Sequence, residues 1–102
     1  MASSNFNVPV TKAVEHTRIE GQGVYLKTGR IVEIFINTGN HSDGDVLFTL
    51  PEGYRPSYLL TFKGEGGTVN QITTLRINQN GQVMIYGASN GGAMVTAVYI
   101  AA

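Results

Sequence analysis

The sequence predicts an all-β fold, an antiparallel, jelly-roll-like β-sandwich of about seven to eight strands. Three observations carry that expectation. Apolar residues recur with a period of two rather than 3.6. The β-rich runs are short, and between them stand GQG, NTGNHSDG, PEGYRP, GEGGT, NQNG and ASNGG, all rich in turn-forming residues. At 102 residues, 42% of them hydrophobic, the chain has enough apolar side chain for one core and too little length for two.

Taken in order, residues 1–12 are polar around Val8-Pro9 and read as an extended N-terminal segment, with the folded domain running over 13–102. TKAVEHTRIE has no sustained helical face and reads as an early strand. VYLKT (24–28) follows, then RIVEIFIN (30–37), which sets Val32, Ile34 and Ile36 against Ile31, Glu33, Phe35 and Asn37. Further strands are expected at DVLFTL (45–50), SYLLTFK (57–63), QITTLRIN (71–78), QVMIYG (82–87) and AMVTAVYIA (93–101). Asn80-Gly81 lies between Ile77 and Val83 and predicts a hairpin whose two central residues both take positive φ.

The stretch LFTLPEGYRPS (47–57) stiffens one corner. Pro51 has no N–H and ends a strand, Gly53 supplies a positive φ, and Pro56 holds Arg55 extended into the next strand. Tyr54 is expected to pack there with its hydroxyl on a backbone group. The corner reads as a structural device rather than a ligand site.

Several strands are apolar on both faces. Met94, Thr96, Val98 and Ile100 oppose Val95, Ala97 and Tyr99; Tyr58, Leu60 and Phe62 oppose Leu59 and Thr61. A sandwich that exposes one face of each sheet alternates more cleanly, so part of the outward surface is expected to be covered by another subunit.

Charge narrows the partners. Charged residues make up 14% of the chain and the net charge is zero, with no Lys/Arg cluster, which argues against nucleic acid. No apolar run is long enough to span a bilayer, and MASSNFNVPV lacks a secretion signal's basic and apolar regions, so membrane insertion is not expected. With no cysteine there is no disulfide or thiolate metal site.

No catalytic constellation emerges, and the expectation is a protein that is not an enzyme and needs no cofactor. The carboxylates Glu15, Glu20, Glu33, Asp43, Asp45, Glu52 and Glu65 stand in no recognisable paired context. His41, Asp43 and Asp45 in HSDGD superficially resemble a cation loop, but the full calcium spacing is missing and the run reads as a solvated turn. His16 and His41 have no third ligand at zinc spacing. Ser57 and Ser89 lack a nucleophile elbow, and neither GEGGT nor GASNGG leads into a helix that could cradle phosphate.

GRIVEIFINTG, DVLFTLPEGYRPS, LRINQNGQVMIYG and AMVTAVYIA, in that order over roughly residues 23 to 101, resemble the C-terminal head domain of phage tail-fibre and baseplate receptor-binding proteins. LPEGYRP is the most specific part of the likeness. The resemblance implies a homotrimer of β-sandwich heads in the virion, at the tip of a fibre, attached to other tail or baseplate proteins and recognising a saccharide on a bacterial surface. The chain departs from the pattern at its front, where no collagen-like or coiled-coil stem appears. The shared motif marks scaffold, so it transfers no ligand residues by position.

A saccharide site needs an aromatic platform and planar polar groups. Around the GEGG and ASNGG turns the candidates are Glu65, Asn70, Gln71, Tyr86, Ser89 and Asn90; Arg76 and Tyr86, on neighbouring strands, are placed to converge on one face. Tyr86, Asn90, Arg76, Glu65 and Gln71 are the residues expected to contact sugar. Each also has an ordinary structural role open to it, as interface aromatic, cross-strand partner or turn former. Two alternatives to a receptor binder are a structural trimerisation cap of a virion fibre and a noncatalytic module of a phage depolymerase.

Overall fold

The computed structural model describes residues 14–19, 22–66, 71–87 and 92–102. The extended segment expected over 1–12 lies outside them. Among the described residues, eight strands form one antiparallel ladder: β1 (Val14–Ile19), β2 (Gly23–Thr28), β3 (Ile31–Thr38), β4 (Asp45–Thr49), β5 (Leu60–Gly66), β6 (Ile72–Ile77), β7 (Gln82–Gly87) and β8 (Ala93–Ile100). Their order across the sheet is β1-β2-β3-β8-β5-β6-β7-β4. No helix among the described residues is long and apolar enough to cross a membrane.

The ladder curls into a sandwich because its central seam is nearly unpaired. β3 and β8 are bonded along their whole length, from Ile31↔Ile100 to Thr38↔Ala93. β5 meets β8 only at Glu65↔Met94 and Gly66↔Ala93, and then diverges to follow β6. The first half-sheet, β1-β2-β3-β8, therefore folds over the second, β5-β6-β7-β4. Gly64 permits the tight crossing, since a Cβ there would run into the Met94 carbonyl and the Val95 side chain. At the outer edges the halves meet again through aromatics: Tyr25 of β2 stacks on Phe48 of β4 with centroids 5.6 Å apart.

The core lies between the halves. Val32, Ile34 and Ile36 of β3 and Val95, Ala97 and Tyr99 of β8 face Leu75 and Ile77 of β6 and Val83 and Ile85 of β7, all buried. In β3 these are the three residues that alternation sets on one face. In β8 both faces are apolar, and only the structure shows which one turns inward.

The corner after β4 is stitched to the end of β8. Leu50 donates its N–H to the Gly81 carbonyl (2.8 Å), and Arg55 Nε returns to the Leu50 carbonyl (2.9 Å). Tyr54 N bonds to Pro51 O at 3.1 Å across Gly53, whose φ is 94°. The Tyr99 hydroxyl donates to the Tyr54 carbonyl. The Tyr54 ring is buried edge-on against Tyr25 at 5.2 Å, with Lys27 Nζ 5.2 Å from its centroid.

Two local expectations are corrected. The strand expected at 57–63 begins only at Leu60, because Pro56 is held in a bridge to Ala101 and the chain must bend through 57–59 to reach β6. Tyr58 and Leu59 are consequently both exposed. The β6–β7 hairpin closes around three residues rather than two. Gly81 N bonds to Asn78 O and Asn78 N to Gln82 O, each at 2.9 Å, and Gly81 has φ 94°. A turn over 78–81 ending in a left-handed glycine matches strand twist as well as the two-residue form does. Asn80 caps it by accepting from Gln82 N (3.0 Å).

Candidate functional site: the polar outer face

The second half-sheet turns a mainly polar surface outward, with Ile72 and Val46 exposed at its margins. Ladder register sets this surface in rows: Lys63 opposite Thr74 opposite Tyr86, and Thr61 opposite Arg76 opposite Met84. Their partners in between, Leu75, Val83 and Ile85, point into the core, so strand parity alone fixes the outward set.

Arg76 and Tyr86 converge as their positions suggested. The guanidinium carbon lies 4.7 Å from the Tyr86 ring centroid, and Nη1 donates to the Tyr86 hydroxyl at 3.3 Å. Arg76 Nε is buried and has no acceptor among the described residues. Lys63 Nζ donates to Thr74 Oγ1 at 2.9 Å, which places a second cation beside the pair. Met84 completes the cluster, its sulfur 3.2 Å from Asn78 Nδ2 and 4.0 Å from the Tyr86 hydroxyl.

Glu65 and Gln71 are exposed at the end of the same face, where Gly66 N bonds to the Gln71 carbonyl at 3.0 Å. Glu65 pairs with Ile72, four residues from Arg76 along β6, which at strand rise is about 13 Å. The five expected residues thus divide: Arg76 and Tyr86 touch, Glu65 and Gln71 form the sheet end, and Asn90 lies outside the described residues.

The HSDGD loop packs beside Tyr86, with a Cβ on Gly44 falling 3.8 Å from its ring. Its carboxylates are engaged by backbone: Asp43 Oδ1 accepts from Gly87 N and Asp45 Oδ2 from Ser42 N, both at 2.8 Å. They serve as turn acceptors in this arrangement. Buried His41 sets Nδ1 3.3 Å from the Gly39 carbonyl.

One concave feature was not anticipated. A cleft of about 320 Å³ opens where β5 and β8 part, lined by Arg30, Pro56, Tyr58, Leu60, Tyr99 and Ile100 among others. Arg30 Nη2 donates to the Ala101 carbonyl at 3.0 Å at its floor, and Tyr58, 76% exposed, stands at its lip. Its walls come from three distant stretches of chain, so no local sequence signal could mark it.

The first half-sheet contrasts with this face. Its outward residues include Ile31 and Phe35 on β3 and Met94, Val98 and Ile100 on β8, the last three 62%, 52% and 63% exposed. Ile31 pairs with Ile100, while Glu33 pairs with Val98, Phe35 with Thr96 and Asn37 with Met94, so exposed apolar groups are interleaved with three polar ones.

No protein-family model matches the chain, and no curated protein sequence matches it.

Proposed function

We propose that this chain is the receptor-binding head domain of a phage tail fibre or baseplate, attaching as a homotrimer to a saccharide on the bacterial host surface. The observation that carries the reading is the division of labour between the two outer faces: one with five exposed large apolar side chains on two paired strands, the other holding a guanidinium stacked on a tyrosine. Sister subunits shield the first, and the second is left free for glycan. A Tyr ring offers the apolar platform for sugar C–H groups, Arg76 supplies a planar donor beside it, and Gln71 and Glu65 add planar polar groups farther off at the sheet end. Single-site affinity for a sugar is weak on so open a surface; three sites per trimer and many trimers per particle raise it by avidity.

The ordered likeness to phage head domains over roughly residues 23 to 101 supports the same reading. The test pairs two measurements on one sample. Light scattering is expected to return three times the 11.0 kDa of one chain. Purified bacterial cell-wall polysaccharide is expected to bind, and to be lost when Arg76→Ala and Tyr86→Ala are combined. A trimer that binds no polysaccharide points instead to the structural cap. A single subunit at micromolar concentration removes the multivalent basis altogether.

A further inference from the structure

Resting on that saccharide reading, we propose that the polar outer face selects an anionic glycan, one bearing a carboxylate or a phosphodiester, with Arg76 as its principal counter-charge. Arginine carries five N–H donors in a planar fork and no acceptor. Here Nη1 is committed to the Tyr86 hydroxyl, which leaves the edge formed by Nε and Nη2, the edge whose spacing matches two oxygens of a carboxylate or phosphate. Nε is buried with no acceptor among the described residues, and no described carboxylate pairs with the guanidinium. A buried cationic donor without an acceptor is unfavourable, and an anion on that edge relieves it.

The surroundings reinforce the sign. Lys63 adds a second positive charge one row away, held by Thr74, the ladder partner of Tyr86. The nearest acid on this face along the ladder, Glu65, is two residues from Lys63 on β5 and partly offsets that lysine, but it lies about 13 Å along the strands from the level of Arg76. Asp43, closer to Tyr86, is turned to Gly87 N. In a chain of zero net charge the paired cations make a local field rather than a general one. An anion reaching Nε has to displace a neighbour. Met84, directly opposite Arg76 and flexible along its length, is the side chain suited to swing aside.

The test measures binding of the purified chain to four probes: oligogalacturonate, its carboxyl-reduced neutral counterpart, a poly(glycerol phosphate) chain and dextran. Binding of one or both acidic probes is expected, with the carboxylate and phosphodiester arms telling the two sources apart. Neutral probes should bind roughly tenfold more weakly or worse, and affinity for the acidic probe should fall as salt is raised. Arg76→Gln should cost roughly tenfold in affinity for the acidic probe, the scale of one charge-assisted hydrogen bond, without changing the melting temperature. Lys63→Gln, at an exposed position, supplies the same readout with a loss of a few-fold if the first variant folds poorly. Equal binding of acidic and reduced probes, or full binding by both variants, overturns the charge preference. Neutral or cell-wall polysaccharide bound without such preference leaves the saccharide reading standing; no binding of any glycan removes both.

Discussion

The two half-sheets are built to the same inward rule and to opposite outward rules. β3 and β8 bury Val32, Ile34, Ile36, Val95, Ala97 and Tyr99, and β6 and β7 bury Leu75, Ile77, Val83 and Ile85. Turned outward, the first pair shows Ile31, Phe35, Met94, Val98 and Ile100 with Glu33, Asn37 and Thr96 among them, while the second shows Thr74, Arg76, Gln82, Met84 and Tyr86 with Ile72 at one end. Folding requires only the inward alternation. The outward difference adds little to the stability of one chain, so it reports on what each face meets. An apolar sheet face left in water favours association, and a face carrying cations resists it.

The sharpest way to break this comparison is to charge the apolar face. Val98→Arg is expected to convert the proposed trimer to single subunits by light scattering while leaving the fold's circular dichroism unchanged; an unaltered trimer mass would place the subunit contact elsewhere. Next in size is the seam that lets the two faces exist back to back. Gly64→Ala drives a Cβ into Met94 and Val95, and should lower stability by about 1–3 kcal/mol in denaturant unfolding. A wild-type midpoint would mean that β5 and β8 tolerate a wider crossing.

Tyr99 offers a smaller effect with a pH signature. Burial pushes its phenol well above the ordinary tyrosine range, and the hydroxyl donates to the Tyr54 carbonyl. The folded state therefore holds the proton more tightly than the unfolded chain does. That contribution is complete below about pH 10 and declines above it by about 1.4 kcal/mol per pH unit. Tyr99→Phe should cost about 1 kcal/mol at neutral pH and flatten this alkaline limb. A limb of unchanged slope would assign the titration to other groups. The smallest stability effect belongs to the polar face: Lys63→Ala should change stability by no more than about 0.5 kcal/mol while weakening the proposed glycan binding. A large loss of stability there would make Lys63 part of the scaffold.

How far the molecule was legible follows from the range of each signal. The convergence of Arg76 and Tyr86 could be read in advance, because one hairpin with Ile77 opposite Val83 dictates which residues share a face. The length of its turn could not: Asn-Gly suits both two- and three-residue loops, and the choice is made by Asn78 bonding to both Gly81 and Gln82. The late start of β5 was hidden for a similar reason. Tyr58-Leu59-Leu60 has strand composition throughout, and only the Pro56 bridge to Ala101 shows that the chain is still crossing there. The Arg30–Tyr58 cleft was invisible, being assembled from residues up to 71 positions apart.

By itself the sequence determined where strands form and which corner is stiff, since alternation, proline and glycine act within a few residues of where they stand. It also determined that some strands are apolar on both sides. Which side of β8 turns inward, where β5 leaves it, and how the cations come to share one face were decided by tertiary structure. Those choices depend on strand neighbours that are remote along the chain. The free energy of a buried face depends on what is packed against it, and no local pattern records that.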